Sequence, residues 1–311
     1  MMPRPANVSV VDPINPAIER VKNMLFRPFD LAKWMTIGFC AWLATLGENG
    51  FNGGNFHSPS HGHGGDIHRQ FEQVKTFVMG NLSWIIPLAA VLIILGFALG
   101  LVFLWLNSRG QFMFLHCVAL DVAEVSAPWN KFKLQGNSLF WFRFVVSMIG
   151  TVLTLPLLVM CFFPIYRMIS ARKFIAGDLM ELIVLMVLGC IALIITKLTA
   201  DFVVPIMFLR GSKCVAAWRE FLSLVFENLG RFVLYLLFQI LLHLAIGMTV
   251  LLLLIITCGL CVVGCCLLII PYIGTVMFLP ILVFTRSYSL YYLQQYGSDF
   301  DVFKPAVNSP A

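Results

Sequence analysis

Residues 84–106, 229–257 and 260–285 are apolar runs that reach or exceed the ~18 to 20 residues a helix needs to cross the hydrocarbon core of a bilayer. A chain carrying such runs has few folds open to it. In lipid every backbone amide must be satisfied within the segment, so each run is expected to be a helix rather than an open strand. The composition agrees. Of 311 residues, 60% are hydrophobic and 12% charged, with mean hydropathy +0.90, about half the charge of a soluble globule. The expected fold class is therefore all-α: a polytopic transmembrane helical bundle of about six spans plus amphipathic interfacial helices.

Reading along the chain gives a cytoplasmic N-terminal segment over 1–30, a six-span membrane domain over 31–297 and a cytoplasmic tail over 298–311. Within 1–30, Ile18, Val21, Leu25 and Phe29 recur at helical spacing with Glu19, Arg20, Lys22 and Asn23 between them, as in a helix lying on a membrane. The mixture of Arg4, Asp12, Glu19, Arg20, Lys22, Arg27 and Asp30 leaves no apolar core for a cleavable signal peptide, so the first span is expected to serve as the signal. The spans are expected at 31–46, 82–106, 139–166 and 179–209, followed by a fifth and sixth that turn near 258–264. The stretch 47–65, rich in Gly, Asn, His and Ser, reads as an external loop. Residues 215–226 are again amphipathic, with Val215, Trp218, Leu222 and Val225 on one side.

Basic residues in short loops are retained in the cytoplasm. With the N-terminus inside, the inner segments hold 15 Lys and Arg and the outer ones 5, namely Arg69, Lys75, Arg167, Arg172 and Lys173. This bias predicts both termini in the cytoplasm. The net charge of +6 is dispersed over short loops, without the block of Lys and Arg that tracks a phosphate backbone, so nucleic acid is excluded as a partner. The partner expected from composition is the lipid bilayer, with a second membrane protein or a homo-oligomer as further options. An amphipathic segment, a basic residue and a span recur three times. Trp129 precedes Arg143 by 14 residues and Trp218 precedes Arg231 by 13, a spacing that duplication or simple topology would each produce.

Several stretches carry a resemblance: Ser108-Arg109-Gly110-Gln111-Phe112-Met113-Phe114-Leu115, Pro128-Trp129, Gly136-Asn137-Ser138-Leu139-Phe140, Asp201 to Met207, and the tail from Pro271 through Arg286 to Gly297. Through them the chain resembles an uncharacterised family of bacterial six-helix membrane proteins. More distantly it is similar to the membrane domain fused to some glycerophosphodiester phosphodiesterases. The resemblance implies architecture and a bacterial inner membrane; it implies no chemistry, and the chain has no room for a phosphodiesterase barrel of about 250 residues.

Few residues are candidates for chemistry. Lys197 and Asp201 lie i, i+4 within the fourth span, where charge is costly enough to need a reason, and Pro205 follows. They read either as a proton, ion or anionic-substrate site or as a self-neutralising pair that fixes helix packing. His57, His61, His63 and His68 in the external loop offer imidazoles for Zn²⁺ or Cu²⁺, at a spacing that matches no rigid metal motif. Cys258 and Cys261 have the spacing of a redox pair, but no charge nearby to stabilise a thiolate; with Gly259 and Gly264 they read first as small packing residues, and the remaining cysteines likewise. No nucleophile elbow, phosphate loop or zinc-protease helix is present in the sequence, and no cofactor is implied. Three functions are open to such a chain: a non-enzymatic membrane module with an assembly, regulatory or envelope role; a carrier for a small solute, ion or lipid using Lys197 and Asp201; and a lipid-modifying enzyme using His116, Asp121 and Glu124.

Overall fold

The computed structural model describes residues 8–46, 79–171, 176–258 and 271–303, with 161–171, 176–179, 181, 253–258 and 271 followed as backbone only. The expected His loop, Cys261 and the segment after 303 lie outside the described residues. Among those described, all regular structure is helical. The elements in chain order are α1 (Ile14–Val21), continued by a π-turn Lys22–Phe26, α2 (Leu31–Thr45), α3 (Leu82–Leu120), α4 (Ser126–Lys131), α5 (Lys133–Ala171) and α6 (Ala176–Leu198). A second π-turn, Thr199–Val203, joins α6 to α7 (Val204–Arg210); α8 (Cys214–Glu227), α9 (Leu229–Cys258), α10 (Pro271–Met277), α11 (Leu279–Gln294) and a 3₁₀ turn, Ser298–Phe300, complete the order.

Four helical stretches among the described residues are long and apolar enough to cross a bilayer: Leu82–Leu120, Lys133–Met160, Leu182–Arg210 and Leu229–Leu252. Nearly all side chains of their most apolar stretches lie on the surface. That is the arrangement expected of rods bathed in lipid, where a Leu gains little by leaving an acyl chain for another helix. The buried residues gather instead at one end, where 107–119, 202–207, α1, α2, α8 and α11 pack into a compact head.

The other two expected spans have a different form. The first, 31–46, is realised as α2, whose 15 residues extend about 22 Å at 1.5 Å per residue, short of the ~30 Å hydrocarbon core. It runs against the C-terminal half of α3 as part of the head. The described part of the sixth, 260–285, is split into α10 and α11 at Phe278, because Pro280 in the first turn of α11 lacks the N–H that would continue the helix. The interfacial stripe expected on α1 also changes. Leu25 is fully buried and Phe29 exposed, since the π-turn at Lys22–Phe26 adds a residue that takes Leu25 out of the stripe and the helix ends at the extended Arg27, before Phe29.

The head is held by side chains that satisfy helix ends. The last carbonyls of α2 have no partner within the helix; Asn107 and Gln111, one turn apart on α3, donate to Ala44 O at 2.6 and 2.9 Å. At the opposite end of this pair, Arg20 of α1 donates to Val118 O and Ala119 O at 2.8 and 2.9 Å, and Lys33 bridges Asp121 at 3.0 Å. Segments near the two ends of the chain meet as well: Ser9 and Gln295 exchange hydrogen bonds of 2.8 and 3.0 Å, and the Tyr288 hydroxyl donates to Val10 O at 2.7 Å.

Gly110 lets α2 and α3 touch backbone to backbone. A Cβ there would meet Leu43 C at 2.5 Å and Ala44 N at 2.6 Å, whereas at Gly100, on a rod, it would meet nothing within 4 Å. Gly110→Ala is expected to lower stability by about 1 to 3 kcal/mol through overpacking, with Gly100→Ala near neutral. Denaturant titration of the two detergent-solubilised variants measures the contrast.

Candidate functional site

The Lys197 and Asp201 pair forms as its spacing predicts, with Nζ to Oδ2 at 3.1 Å. The two side chains are placed unequally. Asp201 is 6% exposed and Lys197 31%, so the carboxylate is held in the head while the ammonium reaches its edge. Asp201 belongs to the π-turn Thr199–Val203 and Pro205 comes at the start of α7. Pro205 has no N–H to give to the carbonyl one π-turn earlier, that of Ala200. Arg286 of α11 donates to Ala200 O in its place. The break left by the proline is thereby turned into a tie between distant helices.

Asp201 has a second partner that the sequence did not disclose. The Tyr235 hydroxyl of α9 donates to Asp201 Oδ2 at 2.9 Å, and Gln239 Nε2 donates to the Tyr235 oxygen at 2.8 Å. His243 Nδ1 lies 2.7 Å from Gln239 O. Tyr235, Gln239 and His243 stand at i, i+4 and i+8, so they share one face of α9. Tyr235 and Gln239 are buried, and the ring of Tyr235 packs against Phe202 at 4.9 Å and Tyr292 at 4.5 Å between centroids. The aromatic core continues through Phe221 and Phe232 to Tyr296, and Tyr292 donates to Arg231 O at 3.0 Å. Burial pushes the Tyr292 and Tyr296 hydroxyls above the usual phenol range. They act as neutral donors.

A second polar cluster sits where α3 meets α5. The Arg109 guanidinium lies against both the Trp105 and Trp129 rings, 4.5 and 4.7 Å from their centroids, and the two rings meet edge to face. Asn137 Oδ1 accepts from both Arg109 and Trp105 at 3.3 Å. Gly136 leaves the space this needs, since a Cβ there would sit 2.9 Å from Arg109 Cγ. Arg143 donates to Asn107. Trp129 of α4 and Arg143 of α5, noted for their spacing, thus both pack against α3, through different partners.

His116, Asp121 and Glu124, the residues considered for lipid chemistry, lie at or just beyond the end of α3. Asp121 is paired with Lys33. The His116 ring stands beside Phe132 and Phe208, its Nδ1 without a hydrogen-bond partner. The Glu124 carbonyl lies 3.6 Å from the Cys117 thiol. Cys258 ends α9 and is followed as backbone only.

Comparison with family models decides the relationship, since one match covers residues 8–277. The chain belongs to DUF7544, a family of unknown function. Characterised proteins and solved structures returned no match. The matched residues take in the DUF7544 chain's four apolar rods, the π-turn with Asp201, and Tyr235, but stop before Arg286, Tyr288 and Tyr292.

Tyr235→Phe leaves Asp201 with one partner fewer and Gln239 without its acceptor, so a loss of about 1 to 3 kcal/mol is expected. Combining it with Asp201→Asn should give less than the sum of the two losses, by about 1 kcal/mol, because both act on one network. A double-mutant cycle in detergent measures the coupling.

Proposed function

We propose that this chain is a non-enzymatic, multi-pass module of the bacterial plasma membrane, used in assembly, regulation or envelope organisation. One observation carries the reading. The buried polar groups near the apolar rods are engaged in tying helices together: Asp201 to Lys197 and Tyr235, Arg109 to Asn137, Arg143 to Asn107, and Arg286 to Ala200 O. A substrate path calls for polar groups directed into a shared passage. Segments near the two ends of the chain meet through Ser9 and Gln295, which supports placing these segments on one side of the membrane. The basic residues packed into or around the head, among them Arg20, Lys33, Arg109, Lys131 and Arg210, support that side being the cytoplasm. The count of about six passages belongs to the same proposal, with two of them assigned to 31–46 and 260–285.

A second reading, as a carrier of protons, ions or a small solute, is favoured by the contact of Lys197 and the Tyr235 hydroxyl with the buried Asp201. These three groups can exchange protons, and π-turns recur at functional sites in helices.

Reconstitution of wild type and Asp201→Asn in liposomes separates the two. The module reading expects no proton, ion or lipid movement from either protein, with insertion verified by external labelling of a Ser58→Cys variant. Flux in wild type that disappears in Asp201→Asn would replace it with the carrier reading.

A further inference from the structure

Helix α8 has two apolar faces, and the head uses only one. Cys214, Ala217, Phe221 and Leu224 are buried against the aromatic core. The opposite side carries Val215, Leu222 and Phe226, which are 64%, 39% and 76% exposed. With Trp218, Arg219 and Ser223 they line a shallow groove of about 450 Å³. Three large apolar residues along one side of a 14-residue helix would be a liability in water. This outward face is part of the stripe that the sequence marks as amphipathic.

We propose that the outer face of α8 lies in the headgroup and upper acyl region of the bilayer and there binds anionic phospholipid. The inference rests on the membrane reading above and adds a lipid class and a site to it. Two features select lipid as the occupant. The first is continuity. Phe221 of α8 and Phe232 of α9 pack together at 5.5 Å on the inner side, so past the turn at Asn228 the outer face of α8 adjoins the exposed Leu229, Val233 and Leu237 of the rod. A surface continuous with a lipid-bathed helix is wetted by the same lipid. The second is charge. Arg219 stands exposed in the middle of the apolar face and Lys213 at its start, while Glu220 is engaged by Arg210 at 3.1 Å, which leaves Glu227 at the far end as the exposed acid of this helix. Long basic side chains rising from an apolar face to the phosphate level are the pattern of an interfacial helix.

Brominated phospholipids, which quench tryptophan on contact, test this in proteoliposomes of the full chain, with wild-type emission as the baseline. Ile93→Trp on α3, an exposed rod position, reports insertion, and Phe226→Trp reports the groove. The expected result is quenching of both, with bromines near the headgroup acting more strongly on position 226 than bromines deep in the chain. Brominated phosphatidylglycerol should be enriched at 226 over brominated phosphatidylcholine by about fivefold, the preference one basic residue confers, and Arg219→Gln should remove the enrichment. Quenching at 93 with none at 226, together with quenching of 226 by aqueous acrylamide, would overturn the inference and leave the membrane reading standing. The same pattern with 226 shielded from acrylamide would also overturn it, and would assign the groove to a protein partner or a second copy. Quenching at neither position would overturn both readings. Equal quenching by the two lipids would overturn the anionic preference.

Discussion

A carboxylate that is 6% exposed beside four apolar rods must be paired, because an isolated buried charge costs several kcal/mol even after relaxation. Asp201 meets that requirement with one partner from its own helix and one from another. Lys197 comes from the preceding turn and Tyr235 from α9. Around this pairing the remaining parts of the head fall into place. Tyr235 brings with it the rings of Phe202, Tyr288 and Tyr292; Tyr288 reaches the N-terminal segment at Val10 and Tyr292 the start of α9 at Arg231. The π-turn that presents Asp201 also frees Ala200 O for Arg286. One charged residue thus links elements from near both ends of the chain.

The division into head and rods follows from the solvent each part meets. Where water competes, burying a Phe or Leu contributes about 1.5 to 3 kcal/mol, so apolar residues of α1, the inner face of α8 and the end of α11 are driven together. Where lipid is the solvent, that driving force vanishes and helices associate only through packing and polar contacts. The described ties between rods accordingly lie near the head, as at Asn107 with Arg143 and Trp105 with Asn137. Beyond them the rods expose nearly everything.

The four apolar rods were legible in the sequence, because a run of some twenty apolar residues has one stable form in a bilayer. The positions of α3, α5, α6 and α9 could be read that way, whereas the extensions of α3 to Leu120 and of α5 back to Lys133 could not. The head was not, since its helices are short and of mixed polarity and their burial depends on partners far away in the chain. Residues 31–46 looked like a short span by hydropathy alone, but Gly110, Asn107 and Gln111 make them a partner of α3. Of the candidate site, the i, i+4 relation of Lys197 and Asp201 was visible. Tyr235, Gln239 and Arg286 were missed, although polar residues at i and i+4 in the otherwise apolar α9 were a signal. On α8 the visible amphipathic stripe coincided in part with the outer face, because the core-facing side carries small and aromatic residues that blur the pattern.

The central claim is that the Asp201 network holds the two ends of the chain in one head while the rods depend on the bilayer. Hydrogen exchange of the protein in lipid nanodiscs, compared between wild type and Asp201→Asn, bears on it most directly. The account predicts faster exchange in the variant across residues 8–26 and 279–296, where the network's ties end, with 84–105 of α3 unchanged. Faster exchange confined to 197–205, with both terminal segments as protected as in wild type, would contradict it.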